Sequence, residues 1–249
     1  MTESGQETLR ARISKLWREW TVGLSGKAVF VLLISTLLIV LFHENCSSGV
    51  FRKYFAKYFG NSEFSGLFPA FYWYLGSFIM LFLIPLLFTG RVLKRPYKQM
   101  GLGLGDWRFG LKAVLVMYFA FLPILAVVSY SPVFQAKYPL FAAAKSSGLH
   151  FVLYQLAYAV YFIGWEFIFR GFMLFGLKPS MGFYAVFVQT IPFTLLHFGK
   201  PQIETIAAII AGVLLGYLAL RTRSFWYGWL LHSAIALTND LLALGHKGW

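Results

Sequence analysis

The chain has 249 residues, of which 59% are hydrophobic and 12% are charged, and its mean hydropathy is +0.67. This composition excludes an ordinary soluble domain and predicts an integral membrane protein that crosses the bilayer several times. The formal net charge of +13 does not point to nucleic acid, because the basic residues flank apolar segments instead of forming one basic face. Membrane lipids with anionic headgroups are the expected partners of these residues.

The N-terminal stretch, residues 1–21, precedes the first apolar segment and has its own periodicity. Apolar residues recur at helical spacing on one face, and basic residues lie opposite them: Leu9, Ile13, Leu16, Trp17 and Trp20 against Arg10, Arg12, Lys15 and Arg18. Two interpretations remain open, an amphipathic helix lying in the headgroup plane and a frayed basic tail.

About seven apolar segments follow, each long enough to approach one membrane crossing of roughly 20 residues. They run from Val22 to Phe42, Leu67 to Phe88, Leu111 to Val128, Phe151 to Phe169, Met181 to Leu196, Thr205 to Leu220, and Phe225 to Leu244. Neither an internal repeat nor a long linker divides them, so we expect one all-α membrane domain over residues 1–249. Lys and Arg are more frequent in alternate connecting segments, which favours a cytoplasmic N-terminus. The single cysteine, Cys46, is assigned no role.

The most informative residues are polar ones inside the last four apolar segments. Glu166 and Arg170 lie four residues apart, which places both on one helix face and lets the guanidinium hold the carboxylate ionised. His197 and His232 end or interrupt two later apolar segments. Since ionisable side chains in a membrane span cost about 2.5–3.5 kcal/mol each on insertion scales, they usually face inward and line a site.

A carboxylate and two imidazoles on three helices are the groups that water activation requires. One group takes a proton from water, another delivers a proton to the leaving amine, and donors stabilise the developing oxyanion. Two alternatives use the same residues: hydrogen bonds that merely join helices, and the proton pathway of a proton-coupled transporter. Asp106, in Gly103-Leu104-Gly105-Asp106, resembles an aspartyl-protease motif, but it lies in a basic loop without a second membrane aspartate beside a tyrosine.

Residues 150–245 resemble the family of CAAX prenyl endopeptidases and bacteriocin-processing enzymes, also called CPBP or Abi, which are intramembrane glutamate proteases. The family motifs are Glu-Glu-x-x-x-Arg, Phe-x-x-x-His and His-x-x-x-Asn/Asp, on separate helices in that order. Here Glu166-x-x-x-Arg170 is followed by Gly171, Phe193-x-x-x-His197 is intact, and His232 begins the third motif. The resemblance implies an all-helical membrane fold and peptide-bond cleavage near the membrane, in some relatives after a prenylated cysteine.

The chain departs from the family pattern at two positions. Trp165 occupies the place of the first glutamate, the residue usually assigned to activating water, and Ala236 replaces the Asn or Asp of the third motif. Glu204 is a second candidate base, although a carboxylate in the first turn of the next helix is also ordinary. Asn239 and Asp240 lie about 10 Å beyond His232 along the helix, and we expect them to bind Lys or Arg at the membrane edge.

The sequence therefore predicts an intramembrane endopeptidase acting on membrane-associated peptides or proteins, with residues 150–245 as its catalytic core. In the expected mechanism Glu166 and His197 polarise a water, Arg170 fixes the carboxylate, and His232 donates to the oxyanion. No cofactor is required, although one Glu and two His could bind zinc if they converged. The alternatives are an inactive family member that binds membrane proteins and the transporter. The resemblance also favours the plasma membrane of a bacterium.

Overall fold

The computed structural model describes residues 8–20, 23–60 and 62–247, and these residues form helices and connecting turns without a strand. The predicted all-α membrane bundle is confirmed. Ten helices are numbered here in chain order, and the two longest contain internal π-helical turns. They are α1 Leu9–Trp20, α2 Gly26–Asn45, α3 Ser48–Tyr54, α4 Phe68–Leu93, α5 Trp107–Val128, α6 Pro132–Lys137, α7 Gly148–Met181, α8 Tyr184–Leu195, α9 Gln202–Thr222 and α10 Trp226–Lys247.

Each of the seven predicted apolar segments overlaps one of these helices, but the structure changes their lengths. Five helices, α2, α4, α5, α7 and α9, are long and apolar enough to cross a membrane. Helix α8 has only 12 residues and spans about 18 Å, less than a hydrocarbon core of about 30 Å. The chain therefore turns back soon after Leu195, and His197 belongs to the turn that leads into α9.

The predicted N-terminal helix is present as α1, with Leu9 and Ile13 exposed. The side chains of Trp17, Arg18 and Trp20 lie outside the described residues. The position of α1 in the headgroup plane stays a prediction.

Helix α7 is the central element of the bundle. In the most apolar 18-residue stretch of α7, 89% is buried inside the protein. The corresponding share for α5 is 6%. Helices α2, α4, α8 and α10 all contact it. Polar side chains on α7 are thus enclosed by protein, whereas α5 presents most of its apolar surface outward, as a lipid-facing helix does.

Small residues allow α4 and α7 to approach closely. A Cβ atom on Gly164 would overlap the backbone carbonyl of Ser77, and the Ser77 hydroxyl donates a hydrogen bond of 3.0 Å to the carbonyl of Tyr161. Close approach through small residues, together with an interhelical hydrogen bond, is how membrane helices associate without a hydrophobic driving force. This contact fixes α7 two residues before Glu166.

A π-helical turn, Phe167–Met173, interrupts α7 immediately after Glu166. The turn is unusual, because π-helical segments are rare and occur frequently at functional sites. It contains Arg170 and Gly171, and a Cβ on Gly171 would overlap the ring of Phe167. The glycine that follows the arginine therefore provides space for a side chain of the same turn.

Helices α8 and α9 form an antiparallel pair that positions His197. The Gln189 side chain donates a hydrogen bond of 2.9 Å to the carbonyl of Gly212, and Gly212 packs against Thr190. Beyond the end of α8, the Thr205 hydroxyl donates to the carbonyl of His197 at 3.0 Å. The turn that carries His197 is thus fixed from both sides.

Substitution of Gly164 by alanine should destabilise the bundle, because the added Cβ meets a backbone oxygen that cannot rotate away. Overpacking of this kind costs typically about 1–3 kcal/mol. Gly148→Ala in the same helix is the matched control, since a Cβ there meets nothing within 4 Å. Thermal unfolding in detergent should show a lower midpoint for Gly164→Ala and none of that loss for Gly148→Ala. Equal midpoints would contradict the close contact between α4 and α7.

Candidate active site

Glu166 lies at the centre of a buried polar cluster. Its Oε1 accepts a hydrogen bond of 3.2 Å from Nη1 of Arg170 and one of 2.9 Å from Nδ1 of His232. The side chains of Glu166 and Arg170 are fully buried, and 18% of the His232 side chain is exposed. The structure therefore brings three of the four predicted site residues into direct contact.

Neighbouring residues pack closely around the Glu166 carboxylate and the Arg170 guanidinium. Gly228, in the first turn of α10, packs directly against Oε2 of Glu166, so that a Cβ at this position would overlap it. The guanidinium carbon of Arg170 lies 3.9 Å from the centroid of the Phe193 ring. A cation over an aromatic face is stabilised by the ring quadrupole, and more strongly when water is excluded. Phe193 thus supports the arginine that pairs with Glu166.

The His197 ring is oriented by the backbone of the last turn of α8, the helix that precedes it. Its Nδ1 lies 2.7 Å from the carbonyl oxygen of Phe193. A carbonyl only accepts, so Nδ1 carries the proton, and in the neutral ring Nε2 holds the free lone pair. The Phe193-x-x-x-His197 spacing of the second motif has a direct physical meaning in this chain, because the carbonyl of the residue four positions earlier fixes the tautomer of the histidine.

The His232 ring is held in the same manner by a different acceptor. The carboxylate of Glu166 accepts from Nδ1, and the ring of Phe162 stacks on the imidazole with a centroid distance of 4.2 Å. The rings of His197 and His232 are nearly parallel, with an interplanar angle of 13° and centroids 6.3 Å apart. Each ring keeps its Nε2 for a molecule that lies between or beside the two imidazoles.

Both imidazoles line a cavity of about 520 Å³. Trp165, Phe162 and Ala236 contribute to the same wall. Glu166 has no exposed surface and lies behind His232, outside the lining. The predicted residues thus divide into two that face the cavity, His197 and His232, and two that support them from the protein interior, Glu166 and Arg170.

Trp165 occupies the cavity wall where the family pattern has a carboxylate. Its ring stacks on Tyr161 at 5.5 Å and meets His197 edge to face at 5.8 Å. The buried indole N–H has no hydrogen-bond partner among the described residues. Trp165 therefore presents an aromatic surface to the cavity, while the neighbouring Glu166 points into the protein.

Glu204 lies in the first turn of α9, as expected, and it also lines the cavity. The Tyr138 hydroxyl is 2.7 Å and 2.9 Å from its two carboxylate oxygens, and Nζ of Lys200 is 3.4 Å from Oε1. Burial raises the pKa of Tyr138 well above its usual range, and Glu204 adds to the effect. Burial also lowers the pKa of the Lys200 ammonium, although Glu204 opposes this shift. Because its pKa is raised, Tyr138 keeps its proton and donates a hydrogen bond to the Glu204 carboxylate.

The structure corrects the expectation for Asp240 and places Asn239 differently from the sequence argument. Asp240 is fully buried and accepts a hydrogen bond of 2.7 Å from the side chain of Gln155, so its hydrogen-bond partner among the described residues is an amide instead of a Lys or Arg. Asn239 is buried and lines the cavity. Distance along a helix axis did not exclude a shared cavity, because the cavity itself extends along α10.

Asp106 has a structural role outside the site. Its carboxylate caps α5 by accepting from the backbone N–H of Phe109 at 3.2 Å, and it pairs with Arg221 at 3.0 Å. The hydrogen bond from Phe109 is the main reason that the pKa of Asp106 lies below its usual range. An exposed N-cap of this kind explains the aspartate without the aspartyl-protease chemistry.

Sequence reasoning missed several residues of the cavity. Tyr138 and Lys137 belong to α6 or its end, and Arg52 belongs to α3. No local pattern marks them, because these short helices are placed over the site by the tertiary fold. Among the described residues no group of three His, Cys, Asp or Glu side chains is arranged to hold a metal ion. The absence of a cofactor requirement stays a prediction.

The fold and the site define a class, an all-α membrane protein with a carboxylate, a guanidinium and two imidazoles enclosed in its helical bundle. Residues 147–238 match the model of the family described as Rce1-like, type II CAAX prenyl endopeptidase. This match confirms the family resemblance inferred from the three motifs. No curated protein and no solved structure matches the chain. The chain is thus an integral membrane protein in which residues 147–238 are similar to CAAX-type proteases.

Replacement of Arg170 by methionine should destabilise the protein, because it leaves the buried Glu166 carboxylate without its arginine. Breaking a buried pair in this way costs about 3–5 kcal/mol. Glu166→Gln combined with Arg170→Met removes both charges and should recover a large part of the loss. Equilibrium unfolding of the single and double variants in detergent gives the comparison. A double variant as unstable as Arg170→Met would show that the ion pair does not govern stability at this position.

Proposed function

We propose that this chain is an intramembrane endopeptidase that hydrolyses peptide bonds of membrane-associated peptides or proteins. The observation that carries the proposal is the pair of parallel imidazoles facing one cavity, of which one is bonded to the buried Glu166 carboxylate. General acid and base groups must lie within hydrogen-bond reach of the reacting atoms, directly or through one water. A cavity with two such nitrogens meets that requirement.

His197 is the proposed base. Its Nδ1–H donates to a backbone carbonyl, so Nε2 takes the proton of a water in the cavity while that water attacks the peptide carbonyl carbon. The same imidazolium then returns the proton to the amine that leaves when the C–N bond breaks. This cycle ends with a carboxylic acid, an amine and a neutral His197.

His232 is the proposed donor to the oxyanion. The Glu166 carboxylate accepts from Nδ1 of His232, and the proposed donor to the carbonyl oxygen is an Nε2–H on the other side of that ring. Glu166 and Arg170 then act through His232 as positioning residues. This role for Glu166 differs from the expectation that it polarises water directly, and its buried position behind His232 supports the change.

An apolar substrate group has a suitable place beside the reacting bond. A second cavity of about 340 Å³ shares Trp165, Tyr161 and Trp73 with the first and also has Phe42 in its lining. Its aromatic wall supports binding of a large apolar side chain or a lipid chain of the substrate. A lipidated peptide is therefore included in the proposed substrate class.

One observation favours a second function, that of an inactive family member that binds membrane proteins. Trp165 replaces the first glutamate of the motif, and the remaining Glu166 does not line the cavity. In that case the cavity would bind a peptide without cleaving it. The two functions differ in turnover, and the following variants separate them.

His197→Ala and Glu166→Gln should each lower cleavage of a membrane-tethered peptide by about 10²–10⁴-fold, because the first removes the base and the second removes the charge that orients and stabilises His232. His246→Ala is the control, since His246 bonds to Ser129 and does not line the cavity. The measurement is cleavage by purified protein in lipid nanodiscs, with thermal unfolding to show that each variant is folded. Loss of activity in Glu204→Gln together with full activity in Glu166→Gln would instead assign the base to Glu204.

Trp165→Glu tests whether the missing carboxylate limits catalysis. Because the Trp165 ring lies at the cavity wall beside His197, a glutamate there would place a carboxylate near the proposed water. If the wild type is a working protease, the variant should remain active with an altered acid limb of its pH–rate profile. If the wild type is inactive and the variant cleaves the peptide, the protein is a binding member of its family and the proposed protease function is wrong.

A further inference from the structure

A three-residue pattern occurs twice in and just after α3. Lys53-Tyr54-Phe55 is followed, after one alanine, by Lys57-Tyr58-Phe59. A 3₁₀ turn, Ala56–Tyr58, carries the second copy beyond the end of α3. We call residues 53–59 the double triplet. It holds two lysines and four aromatic rings without an acidic residue, a composition that suits neither bulk water nor the hydrocarbon layer.

The phenylalanines of both triplets are anchored on the same buried ring. Phe51 is buried, and the centroid of its ring lies 6.1 Å from that of Phe55 and 5.7 Å from that of Phe59. The Phe55 ring also packs against Tyr72 of α4, with a centroid distance of 5.4 Å. The two triplets therefore lie side by side and form one folded unit against α4.

The tyrosines and lysines form the outer surface of this unit. Tyr54 is 54% exposed and Tyr58 is 69% exposed. Nζ of Lys53 lies 4.9 Å from the centroid of the Tyr54 ring, and Nζ of Lys57 lies 4.8 Å from that of Tyr58. Neither lysine takes part in an ion pair among the described residues. Two aromatic rings and two uncompensated cations thus face outward together, as such residues do at the boundary between lipid and water.

The connections of α3 place it where two membrane-spanning helices meet. Helix α2 ends at Asn45, and the Ser47 hydroxyl caps α3 by accepting a hydrogen bond of 3.2 Å from the backbone N–H of Val50. The Tyr72 hydroxyl of α4 donates to the carbonyl of Asn45 at 2.7 Å. Both α2 and α4 are long and apolar enough to cross a membrane, so their joined ends mark one boundary of the hydrocarbon layer. The double triplet lies at this boundary.

We propose that the double triplet is a lipid-binding surface, which inserts Tyr54 and Tyr58 into the interfacial layer of the bilayer and binds phosphates of anionic phospholipids through Lys53 and Lys57. A tyrosine ring can enter this layer because its body is apolar and its hydroxyl reaches water or a headgroup. The apolar stem of a lysine can lie along the lipid while the ammonium stays beside the phosphate. An anionic headgroup also supplies the charge that the two lysines lack.

A lipid headgroup fits this surface better than a second protein does. Only 28% of the apolar stretch of α2 and 22% of that of α4 is buried inside the protein, so lipid covers much of the two helices that adjoin α3. The centres of protein interfaces are also depleted in lysine, whereas the double triplet has one lysine beside each exposed tyrosine. A second copy of the chain or a protein partner becomes an outcome of the test.

The inner side of the same element belongs to the cavities. Ser48 and Arg52 line the cavity of about 520 Å³, and Ser47 lines the second cavity of about 340 Å³. A surface that holds α3 at the level of the headgroups therefore holds an edge of both cavities there. Under the proposed function, a substrate anchored in lipid would meet this edge without leaving the interfacial layer.

Depth-dependent fluorescence quenching tests the surface in the full chain. Cys46→Ser removes the native thiol, and Tyr58→Cys or Tyr54→Cys then carries an NBD label in nanodiscs of phosphatidylcholine and phosphatidylglycerol. A lipid nitroxide near the headgroup should quench both labels at least about threefold more than aqueous iodide or a nitroxide near the acyl-chain terminus does. Val116→Cys is the matched control, because this exposed residue lies near the middle of α5 and should be quenched most by the deep nitroxide.

The label at position 58 also measures which lipid lies beside the lysines, when the nitroxide is carried either by phosphatidylglycerol or by phosphatidylcholine. We expect phosphatidylglycerol to be enriched roughly fivefold, and less in high salt. Lys53→Gln combined with Lys57→Gln should remove most of this enrichment. Lys112→Gln is the matched control for net charge, because it removes an exposed lysine of α5, beyond the far end of α4, and should leave the enrichment intact.

Three quenching results would overturn the proposal. Quenching by iodide alone would place the double triplet in water, and quenching mainly by the deep nitroxide would place it among acyl chains. Protection from every quencher would assign the surface to a second copy or a protein partner. An enrichment that survives the loss of both lysines would equally contradict phosphate binding by Lys53 and Lys57. Thermal unfolding shows that each variant is folded, and none of these measurements requires hydrolysis, so they stand apart from the proposed protease function.

Discussion

The structure depends on one buried ion pair, that of Glu166 and Arg170 inside α7. Neither side chain is exposed, and a carboxylate isolated at this position would be strongly unfavourable. The π-helical turn places Arg170, Gly228 leaves room for the carboxylate on the α10 side, and Phe193 supports the guanidinium from α8. Three helices are therefore arranged around one charge, and the orientation of His232 follows from it. The same contact explains why polar residues are tolerated in the most enclosed helix of the bundle.

The sequence predicted the helical class, the seven apolar segments and the convergence of Glu166, Arg170 and His232, because each follows from residue type and spacing. It did not predict that α8 ends early or that α7 contains a π-helical turn, since both depend on neighbouring helices. It also could not show which way Glu166 points. A rotation of about 100° per residue separates Glu166 from Trp165, but only packing decides which of the two faces the cavity. The cavity residues Arg52, Lys137 and Tyr138 were missed because they converge only in three dimensions.

The exchange of a carboxylate for an indole at Trp165 changes how charge is distributed in the site. A glutamate at this position would add a second negative charge near Glu166, whereas the tryptophan leaves one carboxylate shared by Arg170 and His232. His232 and Arg170 then donate to the same carboxylate oxygen, an arrangement that fits the oxyanion role proposed for His232. The aromatic wall also limits the water in contact with His197. Less water in the cavity strengthens every electrostatic interaction within it.

The cavity lining contains two kinds of polar groups, imidazoles held by hydrogen bonds and long cationic side chains. Its inner wall uses neutral or paired groups whose orientation is fixed by hydrogen bonds to Phe193 and Glu166. Its lining also includes the long cationic side chains of Arg52 and Lys137, which take part in none of the ion pairs formed among the described residues. Fixed groups are suited to stabilising a transition state, because they need no reorganisation when charge develops. Flexible cations near solvent are suited to attracting and orienting an anionic ligand, because their interaction extends over a Debye length of about 8–10 Å and costs little to form. The cavity lining therefore joins fixed imidazoles, which the proposed hydrolysis requires, with long cationic side chains that can interact with solvent ions or with a ligand.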